Sequence, residues 1–318
     1  MPEQIKFGVF LPFYAFKSKN DSQIFNQLQD VALKCEQLEF SSIWLDDHLM
    51  LNKKPIYECW TTLSALAKVT KKIRLGTMVA CNSFRNPALL AKMGATVDNI
   101  SNGRLELGLG AGIQKREHWA YGFTFNSPKI RIQRLEEAVK IIKKLWTQNN
   151  VYFKGKHYKI RNANCEPKPL QKPHPPLIIG GGGEQLMLKL SAKYADRFDW
   201  GYLSSPELYH RKLEILRRYC KRIGRAFNEI EKSCWPIGQI YIGTERKFLE
   251  ENFSHSVSKD FFKDHIMHEN FVYTPQDFLE QIQYYTNFGV TYFMLFFSDV
   301  SNFESLTLFA KEVIQKIK

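Results

Sequence analysis

Residues 105–112 read LELGLGAG, a strand-like apolar run that passes into Gly108, Gly110 and Gly112. Two α/β folds place glycines after a strand. In a dinucleotide-binding domain the pattern is G-x-G-x-x-G after the first strand, and it opens a helix that holds a pyrophosphate. In a parallel barrel, glycines at a strand end lie on the C-terminal rim, where backbone can approach a ligand closely. Here Ile113 occupies the place of the third glycine, and the stretch closes the fourth strand-like segment, not the first. The dinucleotide fingerprint is therefore missing on both counts.

Working outward, two hydrophobic periods alternate along the chain. The strand-like runs are IKFGVFLP (5–12), SSIWLDDH (41–48), IRLGTMVA (73–80), LELGLGAG, PLIIGGGG (176–183), FDWGYL (198–203), WPIGQIYIG (235–243) and TYFMLFF (291–297). Helical spacing covers 22–38, 58–69, 87–99, 128–147, 184–195, 206–223, a segment from Pro275 to Gly289, and 302–317. Alternation without runs of like elements requires parallel strands with crossover helices, and most strands read as continuous apolar runs, as expected when both faces are covered. The prediction is an α/β chain forming one domain over 1–318, a (β/α)8 TIM barrel with insertions after the fourth strand (about 148–176) and after the seventh (about 244–273). Alternating aromatics around Lys154-Gly155-Lys156 predict a hairpin in the first insertion. Pro167, Pro169, Pro173, Pro175 and Pro176 then forbid regular structure.

Bulk properties narrow the function. The 318 residues are 44% hydrophobic, yet no run approaches the length of a membrane span. MPEQIKFGVF lacks the pattern of a secretory leader, and the six cysteines show no CxxC pair. A cytoplasmic protein with reduced thiols and no membrane partner is expected. The net charge is +13, but the basic runs KKIR (71–74), IIKKLW (141–146) and RRYCKRIGR (217–225) are scattered, and two of them sit in amphipathic helices. No nucleic-acid partner is expected; such a field also suits an anionic small molecule.

Polar groups collect where the strands end. Strand two ends in Asp46-Asp47-His48, where a histidine can exchange a proton near neutral pH and a neighbouring carboxylate can raise its pKa; a loop or capping histidine is the alternative. No second histidine stands three or four residues on, so no metal is expected. Gly180, Gly181, Gly182 and Gly183 precede a helix and suit a phosphate, with a tight turn as the alternative. Arg85 and Arg116 are candidate counter-charges. There is no GxSxG or phosphate-loop motif. A pocket with glycine and aromatic walls and one histidine suits a bulky cofactor that carries the chemistry itself.

The stretches IWLDDH (43–48), 73–122 (IRLGTMVACNSFRNPALLAKMGATVDNISNGRLELGLGAGIQKREHWAYG) and 176–201 resemble the bacterial luciferase-like superfamily of flavin and deazaflavin oxidoreductases. The resemblance implies a TIM barrel with insertions that binds coenzyme F420 or, alternatively, FMN. It implies phosphate-side contacts from Ala111, Gly112, Arg116 and Gly180 to Gly183, a non-prolyl cis peptide at Met78-Val79, and Cys81 and Asn82 beside the ring. His48 would act near the hydride-accepting carbon, with Asp47 as its acidic neighbour in catalysis and cofactor binding. Glu117 matches a further acid of this loop, structural or catalytic. Ile113 replaces the glutamate that the sugar-phosphate enzymes carry, which argues against such a substrate. The resulting expectation is an F420-dependent oxidoreductase acting on a small organic molecule, often a homodimer in this family. The alternatives are an FMN-dependent monooxygenase and a non-catalytic cofactor-binding protein. The insertion at 244–273 carries Phe253, His255, Phe261, Phe262, His265 and His268, which points to an aromatic or extended apolar substrate.

Overall fold

A computed structural model describes residues 4–16, 20–51, 54–200, 206–235, 239–244 and 270–317. Eight strands run parallel: β1 Lys6–Phe10, β2 Ser42–Leu45, β3 Arg74–Thr77, β4 Leu105–Gly110, β5 Leu177–Gly180, β6 Arg197–Asp199, β7 Glu231–Cys234 and β8 Tyr292–Phe297. Each pairs with the next, and β8 returns to β1 in the register Lys6↔Tyr292 and Gly8↔Met294, so the sheet closes into a barrel. Between them lie α1 Ser22–Gln37, α2 Cys59–Val69, α3 Pro87–Ile100, α4 Pro128–Thr147, α5 Met187–Tyr194, α6 Pro206–Ile223, α7 Pro275–Thr286 and α8, which begins at Glu304–Phe309 and continues through a π-turn at Ala310–Ile314. This is the (β/α)8 barrel that the alternation of periods predicts.

Period-two alternation sends one set of side chains outward onto the helices and the other into the barrel. The inward set includes Phe10, Trp44, Ile178, Trp235, Tyr292, Met294 and Phe296. Trp44 fits because its neighbours have no side chain. A Cβ at Gly76 would stand 2.1 Å from its ring, and one at Gly8 would stand 2.6 Å from its Nε1. At the N-terminal end the barrel is plugged by charge. Arg197 bonds Glu106 and reaches Glu231 at 3.2 Å, Arg74 bonds Glu106, and Lys6 meets Glu231 at 2.8 Å. Burial alone would raise the Glu106 carboxyl, but Arg197 and Arg74 outweigh it and hold its pKa below the usual value.

The turn before β4 explains the SNGR segment. Asn102 and Gly103 take φ of 59° and 79°, and Arg104 then reaches back to the carbonyls of Ala67 and Thr70, closing the C-terminus of α2.

Two strands and one helix differ in their boundaries from the sequence expectation. The seventh barrel strand is Glu231–Cys234, not 235–243. Its polar residues hide the pattern because they have partners far away in sequence: Glu231 faces Lys6 and Arg197, and Ser233 donates to Asp199 at 2.5 Å. Gln239–Ile242 instead pairs beside the end of β8 (Gln239↔Phe296) and with Asn270–Tyr273. The third run breaks after Thr77 and resumes as Ala80–Cys81, paired to Leu109 and Gly110. α5 begins at Met187, three residues later than expected.

The hairpin at Lys154-Gly155-Lys156 is present as Val151–Lys154 against Lys159–Ala163. Phe253, His255, Phe261, Phe262, His265 and His268 lie outside the described residues. Among the described residues no helix is long and apolar enough to cross a membrane.

Candidate functional site

His48 leaves the end of β2, and Glu117, on a short helix Lys115–Ala120 beyond β4, meets it. Glu117 Oε2 lies 3.2 Å from His48 Nδ1, while Glu117 Oε1 accepts the N–H groups of Leu49 and Met50, the latter at 3.1 Å. One carboxylate thus fixes both the ring and the backbone that carries it. Tyr121, one turn on, donates its hydroxyl to Leu49 O at 2.9 Å. With Nδ1 on Glu117, Nε2 is the ring nitrogen left for a ligand, and the side chain keeps 29% exposure. Burial lowers the His48 pKa, but the hydrogen bond to Glu117 and the charges of Asp46, Glu117 and Asp47 outweigh it, so the net shift is upward.

Asp46 and Asp47 play different parts. Asp46 Oδ1 accepts from Phe13 N at 3.3 Å, and its Oδ2 is buried without a hydrogen-bond partner. Burial pushes the Asp46 carboxyl up to about 6 in spite of nearby His48. Asp47 is enclosed. Arg85 grips it through two bonds of 2.6 and 2.8 Å, and Cys81 N–H adds a third at 2.8 Å. Arg85 Nη2 also donates to Glu58 at 2.6 Å. The Asp47 carboxylate and the Arg85 guanidinium are therefore taken up with each other. Asp47 fixes the Cys81 backbone instead of facing the open rim, and Arg85 is not a spare counter-charge.

The Met78–Val79 peptide bond is cis, where the family resemblance placed one. Val79 then leans into the strand ends. A Cβ on Gly110 or Gly180 would stand 2.6 or 2.7 Å from a Val79 methyl, and one on Gly108 would stand 2.0 Å from Thr77 O. This answers the question posed by LELGLGAG. Gly108 and Gly110 make room for the neighbouring strand and its bulge. Gly112 alone makes the turn, at φ 81°, against Cys81 Sγ and the His118 ring. His118 Nδ1 donates to Gln114 O at 2.7 Å, so its Nε2 faces Cys81 Sγ at 3.8 Å. Burial raises the Cys81 thiol to about 12, which keeps it neutral. Asn82 follows, buried, with Nδ2 3.5 Å from Tyr158 of the hairpin and Oδ1 unpartnered.

Across the rim, Gly181 adopts φ 123° and donates its N–H to Asp199 O at 3.1 Å. Among the described residues the N–H groups of Gly182 and Gly183 find no acceptor. Lys212, from α6, donates to Gly182 O at 2.6 Å and lies 4.6 Å over the Trp200 ring. Burial pulls its pKa below the ordinary lysine value. Ala111 is half-buried, and Arg116 is exposed on the short helix.

The structure gathers His48, Met78, Val79, Cys81, Asn82, Ala111 and Gly112 at adjoining strand ends, with Gly180 to Gly183 beside them; Arg116 stands outside on the surface. Lys212 escaped the sequence reading because it comes from a distant helix, ahead of the basic run at 217–225. Asp46 escaped because nothing in the sequence distinguishes its burial from that of Asp47. The free N–H groups of Gly182 and Gly183, the Lys212 ammonium and the orphaned Asn82 Oδ1 beside the bulge suit a flat cofactor that carries a phosphate.

Over 196 residues the chain is 35% identical to an F420-dependent glucose-6-phosphate dehydrogenase of Amycolatopsis mediterranei, covering 58% of this chain and 56% of the relative. The chain thus spans little more than half the length of that curated relative. In fold it is similar to an F420-dependent secondary alcohol dehydrogenase solved with an F420-acetone adduct (TM-score 0.78, 20% identity, 98% of both chains). It is also similar in fold to EDTA monooxygenase from Chelativorans sp. BNC1 (TM-score 0.80, 15% identity, 99% of this chain and 93% of the other). Residues 5–288 match the luciferase-like monooxygenase family, and the chain belongs to it.

Proposed function

We propose that the protein is an F420-dependent oxidoreductase that moves a hydride between the deazaflavin and a small organic substrate. The observation that carries this is His48, clamped by Glu117 through Nδ1 and presenting Nε2 at the barrel mouth. Gly182, Gly183 and Lys212 would hold the phosphate of the cofactor, and the Met78–Val79 bulge with Cys81 and Asn82 would border its ring system. Coenzyme F420, when bound, accepts or returns a hydride at carbon. The accompanying proton belongs to the protein: His48 Nε2 takes it from an alcohol or gives it to a carbonyl, and Glu117 stabilises the imidazolium. Asp47 acts through others, as a positioning residue for Cys81 and Arg85. Arg116 would meet the anionic tail from the surface.

Six buried free cysteines suit a reducing cytoplasm. Exposed Leu89 and Ile100 on α3 offer apolar surface for a homodimer. The test is His48→Gln. F420 affinity should persist while turnover falls about 100-fold or more; full turnover would remove His48 from the mechanism. The glycine cradle would serve the phosphate of FMN as well, which keeps a flavin monooxygenase as the second reading. Oxygen uptake with reduced FMN would favour it.

A further inference from the structure

We infer that the hairpin of the first insertion belongs to the cofactor site: Glu137 and Tyr158 are positioning residues for Asn82, whose free amide oxygen accepts a hydrogen bond from a ring N–H of the bound cofactor. The inference rests on the reading that puts the ring system beside Cys81 and Asn82. The hairpin tip is held by one carboxylate. Glu137, midway along α4, accepts the N–H of Lys156 at 2.7 Å through Oε1, and those of His157 and Tyr158 at 2.9 and 3.0 Å through Oε2. Gly155 N–H closes the turn on Tyr158 O at 2.9 Å. A Cβ on Gly155 would stand 2.3 Å from Glu137 Oε2, so only glycine lets the turn approach the carboxylate this closely.

The clamp delivers one side chain. Phe153, Ile160 and Ala163 seat the stem of the hairpin on the core while staying partly open to solvent. From Tyr152 to Asn162 only Tyr158 is fully buried. The Arg134 guanidinium lies 5.0 Å from the Tyr158 ring centroid, and the Tyr158 hydroxyl accepts from Asn82 Nδ2 at 3.5 Å. The Asn82 backbone is fixed as well. Its N–H donates to Gly110 O at 3.0 Å, and the preceding N–H, of Cys81, donates to Asp47 at 2.8 Å. Backbone and Nδ2 are thus engaged, whereas Oδ1 is buried and has no partner among the described residues. A buried amide oxygen without a donor is costly, and a ring N–H is the donor a cofactor would bring. Deazaflavins and flavins share that N–H in their pyrimidine ring, so Asn82 suits either.

The test uses the full chain, titrated with F420 and with FMN and followed by fluorescence. Asn82→Ala should weaken binding of the accepted cofactor about tenfold, and Tyr158→Phe, which removes only the hydroxyl, about fivefold. The double variant should bind no more weakly than Asn82→Ala alone, because the hydroxyl acts through the amide. Glu137→Gln should weaken binding as well and speed tryptic cleavage at Lys156 of the hairpin tip. Unchanged affinity in Tyr158→Phe, or additive losses in the double variant, would overturn the inference and leave the cofactor site standing. A wild type that binds neither F420 nor FMN would remove the site reading and the inference with it.

Discussion

Replacing Glu117 by glutamine should lower the pKa of His48 and shift the pH dependence of turnover with it. The carboxylate accepts from His48 and from the N–H groups of Leu49 and Met50. A glutamine keeps the shape. If its carbonyl takes the two backbone donors, its amide N–H points at His48 Nδ1 and opposes the imidazolium. Hydrogen bonds to charged groups contribute about 1.5–3 kcal/mol, and one pKa unit is about 1.4 kcal/mol, which gives a fall of about one to two units. The lower end applies because the His48 side chain is 29% exposed and water screens the pair. The stability signature has a sign that can be checked. The His48 pKa is raised in the fold, so its contribution is full below 6.5 and fades as pH rises through the folded value. The Glu117 pKa is lowered, because bonds to His48 and the backbone outweigh burial, so its contribution is full above 4.5 and fades on acidification. The melting difference between wild type and Glu117→Gln should therefore be greatest between 4.5 and 6.5. Proton NMR of the His48 ring reads the pKa directly. A shift smaller than about 0.3 unit would refute the clamp.

Other consequences are independent of turnover. Arg85→Ala leaves the buried Asp47 carboxylate without its partner and should cost about 3 kcal/mol, read from the denaturant midpoint. Gly76→Ala drives a methyl into the Trp44 ring and should destabilise by at least about 2 kcal/mol, with Trp44→Leu restoring part of the loss. Lys212→Gln should weaken F420 and FMN alike by about tenfold and flatten the salt dependence of binding, while the fold stays intact. All six cysteines are buried and free, and Cys81 is pushed up to about 12, so a thiol reagent should label none of them until denaturant is added.

The barrel was legible because its strands are apolar on both faces and its helices keep a clean 3.6-residue period, from Ser22–Gln37 to Pro275–Thr286. β7 was not, because Glu231 and Ser233 point into the barrel and are neutralised by residues far away in sequence. His48 stands out in the sequence through its place at a strand end. The role of Asp47 was not, because only the fold shows that Arg85 reaches it. The glycines were misread in part. Gly108 and Gly110 look like a ligand loop, yet their neighbours are Thr77 and Val79. Lys212 lies on a helix far from Gly182 in sequence, and only tertiary structure brings it to Gly182.

The most direct test of the central claim is a titration of the purified full chain with oxidised F420 and with FMN, at low and moderate salt, followed by fluorescence. Micromolar or tighter binding of F420, weaker binding of FMN, and reduction of F420 by an alcohol that depends on His48 are the expected results. Tight binding of FMN with no measurable binding of F420 would contradict the account.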